Sequence, residues 1–178
     1  MFTPIGNFKI CYEDSSYSRF ERKLPVIPNN IYFTCLLFFS EVCNRYNTEA
    51  ALQLFFNPED NKYFLYLPEQ VVKHTAVQFE RNHVLESTNY LVADIHSHGE
   101  IAAFFSSVDD ADELGTRLFF VFGGLKNSKP EAKFRAGSGG HFTNLEKDDI
   151  FDVNDEVCLS EVRESVAKLL NNAARIKF

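Results

Sequence analysis

The stretch Tyr90-Leu-Val-Ala-Asp-Ile-His-Ser-His-Gly-Glu-Ile-Ala-Ala-Phe-Phe-Ser-Ser-Val-Asp109 decides how the chain is read. Tyr90–His96 is an apolar run of strand length, the pattern of a strand buried on both faces. His96 and His98 stand two residues apart at its end. Strand geometry puts both imidazoles on one face, about 6–7 Å apart at the backbone, close enough to converge on one metal ion. Zinc takes histidine nitrogen and carboxylate oxygen and keeps one position open for water in catalytic sites. Asp109 is the candidate third ligand. Phe104-Phe105 approaches a short acidic helix, Ser107–Leu114, which ends at Gly115. Ser106 is the expected N-cap of that helix, and Asp109 is its third residue. Taken alone, Ser-x-x-Asp is a capping box and His-x-His is a chance pairing. Together, His-x-His, seven residues, Ser, two residues and Asp form a far more specific pattern.

Outward from this strand the period of the apolar residues changes twice. Upstream, Ile31, Cys35, Phe38, Phe39, Val42 and Tyr46 recur at three- and four-residue steps. That spacing predicts a helix to about Tyr46 with Asn29 or Asn30 as its N-cap. Leu36, Leu37 and Cys43 widen the stripe, so the helix is expected to pack on more than one side. Ala50–Phe56 and Tyr63–Leu67 read as strands joined by the turn Asn57–Lys62, and Val77–Val84 as a further strand. Downstream, Leu118–Phe122 and Lys133–Ala136 read as strands, and Gly137-Ser-Gly-Gly as a flexible turn. Val162, Val166, Leu169 and Ala173 mark a closing amphipathic helix. Phe8–Tyr12 and Phe20–Leu24 read as edge strands. The predicted class is α+β with three layers: a mixed central sheet flanked by an early helix, the short motif helix and a C-terminal helix. One domain over residues 1–178 is expected, with its core at about 30–151.

Composition narrows the function. The 178 residues carry 18 basic and 25 acidic side chains, a net charge of −7, which argues against a nucleic-acid partner, since phosphate binding needs a basic face. The longest apolar stretch, Ile31–Phe39, is too short to span a bilayer. The start, Met1–Asn7, lacks the basic-then-apolar order of a secretion signal. Cys11, Cys35, Cys43 and Cys158 show no short regular spacing. On one helix, Cys35 and Cys43 would lie about 12 Å apart, beyond disulfide reach. Buried free thiols in a cytoplasmic protein are expected.

His96-Ser-His98, Ser106 and Asp109 match the spacing of the JAMM motif. The sequence therefore resembles the JAB/MPN metallopeptidases, whose fold is like that of cytidine deaminases. The context Ala103-Phe-Phe-Ser-Ser-Val-Asp-Asp-Ala-Asp-Glu113 and Leu114-Gly-Thr-Arg-Leu-Phe119 is similar to a bacterial branch called PRTRC system protein A. Outside residues 94–122 the likeness is loose. The resemblance implies one zinc ion held by His96, His98 and Asp109. It implies hydrolysis of a peptide or isopeptide bond, with a ubiquitin-like protein or peptide as substrate. It also implies a general base, an upstream glutamate between the first helix and the following strand, where Glu49 sits. That carboxylate would take a proton from the attacking water, which zinc acidifies toward ~7, and pass it to the leaving amine. Glu41, Glu59 and Glu100 are rivals. Ser106 would donate to the oxyanion, a contribution of ~10²–10³ in rate at such positions. An E1-like activating enzyme is the partner that family context suggests. The alternative is a non-catalytic MPN scaffold that assembles protein complexes.

The sequence departs from the family at Gly99, where proline is usual, and a more mobile Gly99–Ala103 loop is expected. Asp94 shares the histidines' strand face and is a candidate to orient His96. His74, His83 and His141 have no ligand partners in the pattern. Lys126–Arg135 reads as a solvated basic hairpin, Glu146–Glu156 as a solvated acidic loop, and the paired phenylalanines as core. A His-Glu-x-x-His zinc site and a deaminase Pro-Cys-x-x-Cys are both absent.

Overall fold

The computed structural model describes residues 8–13, 17–73, 76–172 and 176–177. In chain order the elements are β1 (Phe8–Glu13), β2 (Tyr17–Arg22), β3 (Ile27–Pro28), α1 (Asn29–Tyr46), β4 (Ala51–Asn57) and β5 (Lys62–Tyr66). Next come β6 (Gln70–Lys73), β7 (Ala76–Phe79), α2 (His83–Thr88), β8 (Tyr90–Ser97), α3 (Ser107–Asp112) and β9 (Arg117–Gly123). The chain closes with β10 (Glu131–Ser138), β11 (His141–Leu145), α4 (Lys147–Ile150), β12 (Phe151–Asp152), α5 (Leu159–Leu170) and β13 (Ile176–Lys177).

The fold is α+β. A six-stranded sheet has the order β11-β10-β9-β8-β4-β5. Its neighbours are antiparallel except β8 and β9, which run parallel. A parallel pair needs a crossover longer than a hairpin turn, and the segment that supplies it, residues 98–116, contains α3. The one parallel step in the sheet therefore places Asp109 over the end of the strand that carries the histidines.

Strand alternation gives the sheet two different faces. Leu52, Leu54, Ile95, Phe120, Phe122 and Phe134 join Cys35, Phe38, Phe39 and Val42 of α1 in one buried core. The Phe39 and Phe122 rings lie 5.5 Å apart. Val166 and Leu169 of α5 join the same core, and α5 packs against α1, so α1 is covered on two sides. The opposite face carries Gln53, Asp94, His96, Phe119 and Arg135, aligned by the register Ala51↔His96, Gln53↔Asp94 and Phe119↔Arg135. Paired phenylalanines on strands thus serve both faces: Phe120 enters the α1 core, while Phe119 meets Phe142 on the other side.

Several boundaries and surroundings differ from expectation. Asn29 lies inside α1, whose N-cap is Pro28, with no side-chain cap; proline's fixed φ suits the helix entrance. Val77–Val84 divides into β7 and α2, because Asn82 caps a helix by accepting from the Leu85 amide at 3.1 Å. Glu146–Glu156 is not simply a solvated loop: it holds α4 and β12, with Ile150 and Phe151 buried. The closing helix ends at Leu170, and Ala173 lies outside the described residues. Cys35 and Cys43 are buried free thiols as expected, whereas Cys158 is exposed. Among the described residues no helix is long and apolar enough to cross a membrane.

Candidate metal centre

The geometry at the end of β8 is built from the backbone upward. The amide of Ser97 donates to the Ala50 carbonyl at 3.0 Å, and the Ala50 amide donates to Ser97 Oγ at 3.2 Å. The side-chain amide of buried Gln70 completes the other edge: it accepts from the Ala51 amide at 2.7 Å and donates to the Ala51 carbonyl at 3.0 Å. Glu49 is thereby fixed one residue before a backbone segment pinned on both sides, opposite Ser97 and His98.

His96 Nε2 and His98 Nε2 lie 3.2 Å apart. His96 Nε2 is 3.4 Å from Asp109 Oδ1. Ligand atoms of His96, His98 and Asp109 all fall within 4.8 Å of one another. Four ligands at zinc's usual distance of about 2.0–2.1 Å, arranged tetrahedrally, stand roughly 3.3 Å apart. The spacing of the histidine pair and of the His96–Asp109 pair fits that figure. Two imidazoles sharing one proton would give a similar separation; adding the carboxylate makes a donor set that zinc takes. Zinc is therefore a group these residues suit.

The two oxygens of Asp109 are divided between tasks. Oδ2 accepts from the Ser106 amide and from the Ser106 hydroxyl, both at 2.6 Å. The Asp109 amide in turn donates to Ser106 Oγ at 3.2 Å. This is a reciprocal capping box, and it leaves Oδ1 turned toward His96. The cap and the ligand readings of Ser-x-x-Asp are thus both satisfied by one carboxylate.

A cavity of about 260 Å³ holds these groups together with Glu49, Gln78, Asp94, Val108 and Arg117. Of the four candidate glutamates only Glu49 lines it. Glu41 pairs with Arg45, and Glu100 pairs with Lys126; Glu59 sits in the turn after β4, its amide held by Asn57. Burial, reinforced by the negative charge of Asp109, pushes the Glu49 carboxyl up to about 7. Burial lowers His96 to about 4, partly offset by the charge of Asp109, and lowers His98 as well. Both imidazoles are therefore neutral at neutral pH, with a lone pair free for a ligand bond.

Asp94 does not reach His96. Its carboxylate accepts from Gln53 Nε2 at 3.0 Å and Arg117 Nη1 at 2.9 Å, because those side chains flank it on β4 and β9. The Gly99 loop is tied down. The His98 amide donates to the Phe122 carbonyl at 2.8 Å, the Leu125 amide to Gly99 at 2.9 Å and the Gly124 amide to Ile101 at 2.6 Å. Gly99 has φ +58°, in the left-handed region closed to proline. The glycine makes a tight exit from the strand. His83 is exposed on α2, and His141 opens β11, outside the cavity lining; His74 lies outside the described residues. Arg135 is not part of a solvated hairpin: it is 4 % exposed beneath α3.

The family model for prokaryotic homologs of the JAB domain matches residues 36–136, a span that includes the C-terminal part of α1, all of β8 and α3, and most of β10. No curated protein matches the chain.

Proposed function

The chain belongs to the family of prokaryotic homologs of the JAB domain, and from that premise we propose that it is a zinc-dependent hydrolase of peptide or isopeptide bonds. Its substrate is the C-terminus of a ubiquitin-like protein. The observation that carries this reading is the convergence of His96, His98 and Asp109 ligand atoms within 4.8 Å, in a cavity also lined by Glu49. When bound there, zinc would supply Lewis acidity that acidifies water and polarises a carbonyl.

The chain's own residues do the rest. His96 and His98, neutral and partly shut off from water, present nitrogen lone pairs, and Asp109 presents Oδ1. Glu49 accepts the proton of the attacking water on its carboxylate and gives it to the leaving amine. Ser106 donates a hydrogen bond from its hydroxyl to the oxygen that becomes negative, which requires the hydroxyl to turn away from Asp109 Oδ2. A reducing cytoplasmic setting and an E1-like partner belong to the same proposal. So does one domain over residues 1–178.

The test is cleavage of a panel of ubiquitin-like C-terminal fusions by zinc-loaded wild type and Glu49→Gln. Wild type is expected to release at least one fusion partner, and Glu49→Gln to retain zinc with activity lowered at least 10²-fold. Equal activity of the two proteins would remove Glu49 from the mechanism. A folded wild type that binds no zinc would point to the scaffold role instead.

A further inference from the structure

The helix that presents Asp109 has little to hold it. α3 has six residues and buries none of them. Val108, its one large apolar side chain, is 60 % exposed. Its capping box ties Ser106 to Asp109 but connects the helix to nothing outside itself. Apolar burial, the usual source of helix position in a protein, is missing here.

Arg135 takes its place. From β10 its guanidinium donates to Glu113 Oε2 through Nε at 2.9 Å and Nη2 at 2.6 Å, and to Asp110 Oδ1 through Nη1 at 2.6 Å. The guanidinium plane lies between two aromatic rings, 3.9 Å from the Phe105 centroid and 3.6 Å from that of Phe142. Phe105 leads into α3, and Phe142 belongs to β11. One buried cation therefore joins the central sheet to the entrance of α3, its first turn and its C-cap. Arginine suits this task because its planar fork can bond two carboxylates while its faces stack.

We propose that Arg135 is a positioning residue for the metal centre, fixing α3 so that Asp109 meets His96 and His98. The inference rests on the reading of Asp109 as a zinc ligand. Arg135 touches neither the histidines nor Asp109 and takes no part in proton transfer. It acts by keeping α3 in the place where the Asp109 carboxylate completes the ligand set before metal arrives.

The test uses the full chain. Arg135→Gln alone would leave Glu113 buried without its cation, so the main variant is Arg135→Gln combined with Glu113→Gln. Zinc affinity is measured by competition with a chromophoric chelator, and ligand geometry by the visible spectrum of the cobalt-substituted protein. The double variant is expected to bind zinc about 10–100-fold more weakly, the usual effect of losing an outer support of a ligand, and to show an altered cobalt spectrum. Arg135→Lys, which keeps the charge and loses the fork, should fall between the two. In metal-free protein the Asp110 and Glu113 amides, bonded to Ser106 and Asp109 carbonyls at 3.0 and 2.8 Å, should lose hydrogen-exchange protection in the double variant. Zinc affinity within twofold of wild type with unchanged protection would overturn the proposal. Asp109→Ala separates the two claims: if it leaves zinc affinity unchanged, the ligand assignment fails. If wild type binds no zinc, exchange at Asp110 and Glu113 still decides whether Arg135 holds the helix.

Discussion

Glu49→Gln in metal-free protein is a stability experiment as well as a catalytic one. The carboxyl is pushed from its ordinary 4.5 to about 7, first by burial and then by Asp109. Folding therefore favours its protonated form, and the sign follows. Below pH 4.5 the group is protonated whether the chain is folded or not, and stability is greatest. Between 4.5 and 7 the unfolded chain releases the proton more readily, so stability falls as pH rises and is fully lowered above 7. A shift of that size corresponds to roughly 3 kcal/mol at face value. Glu49 is only partly buried, and screening by water reduces this to about 1–2 kcal/mol. Glu113, also raised to about 7 by burial despite Arg135, adds a similar slope, but it is present in both proteins and cancels from the comparison. Urea denaturation of chelator-treated protein at pH 4.5 and pH 8 provides the readout. The Gln variant should be about 1–2 kcal/mol more stable than wild type at pH 8, and the difference should shrink toward zero at pH 4.5. A variant that is less stable at pH 8, or a difference independent of pH, would refute the claim that Glu49 is held in a site hostile to its charge.

Ser106→Ala removes both the cap and the proposed oxyanion donor. Because the hydroxyl already serves Asp109 Oδ2 at 2.6 Å, its loss should weaken zinc binding, measured by chelator competition, and destabilise the fold by about 1 kcal/mol. A substitution that lowers kcat alone would show that the cap is dispensable. Gly99→Ala should cost about 1–2 kcal/mol, since φ is +58° there. Gly99→Pro, which restores the residue usual in the family, should cost more and weaken zinc binding, both read from thermal unfolding with and without zinc.

The parts of the fold that were legible in the sequence are those where a face is apolar. The α1 positions Cys35, Phe38, Phe39 and Val42, the centre of the apolar run at Val92, Ala93 and Ile95, and the α5 positions Val162, Val166 and Leu169 are all buried, although Tyr90 at the start of that run is exposed. The spacing of His96, His98, Ser106 and Asp109 was legible because strand and cap geometry constrain it locally. Arg135 was not. It is a charged residue in a basic segment, and its partners Asp110 and Glu113 lie 25 and 22 residues away. Only the pairing of β10 with β9 brings it under α3. Gln70 escaped for a related reason: a polar residue signals solvent until a neighbouring strand end, here Ala51, is found to need both a donor and an acceptor. The short strands β12 and β13 have two residues each, too few for any period to show.

Metal content tests the central claim most directly. Protein purified without chelator and analysed for metals should hold one zinc per chain, and His96→Ala and Asp109→Ala, each still folded, should hold close to none. A wild type without zinc, or an Asp109→Ala protein that keeps a full equivalent, would contradict the assignment of His96, His98 and Asp109 as the metal centre.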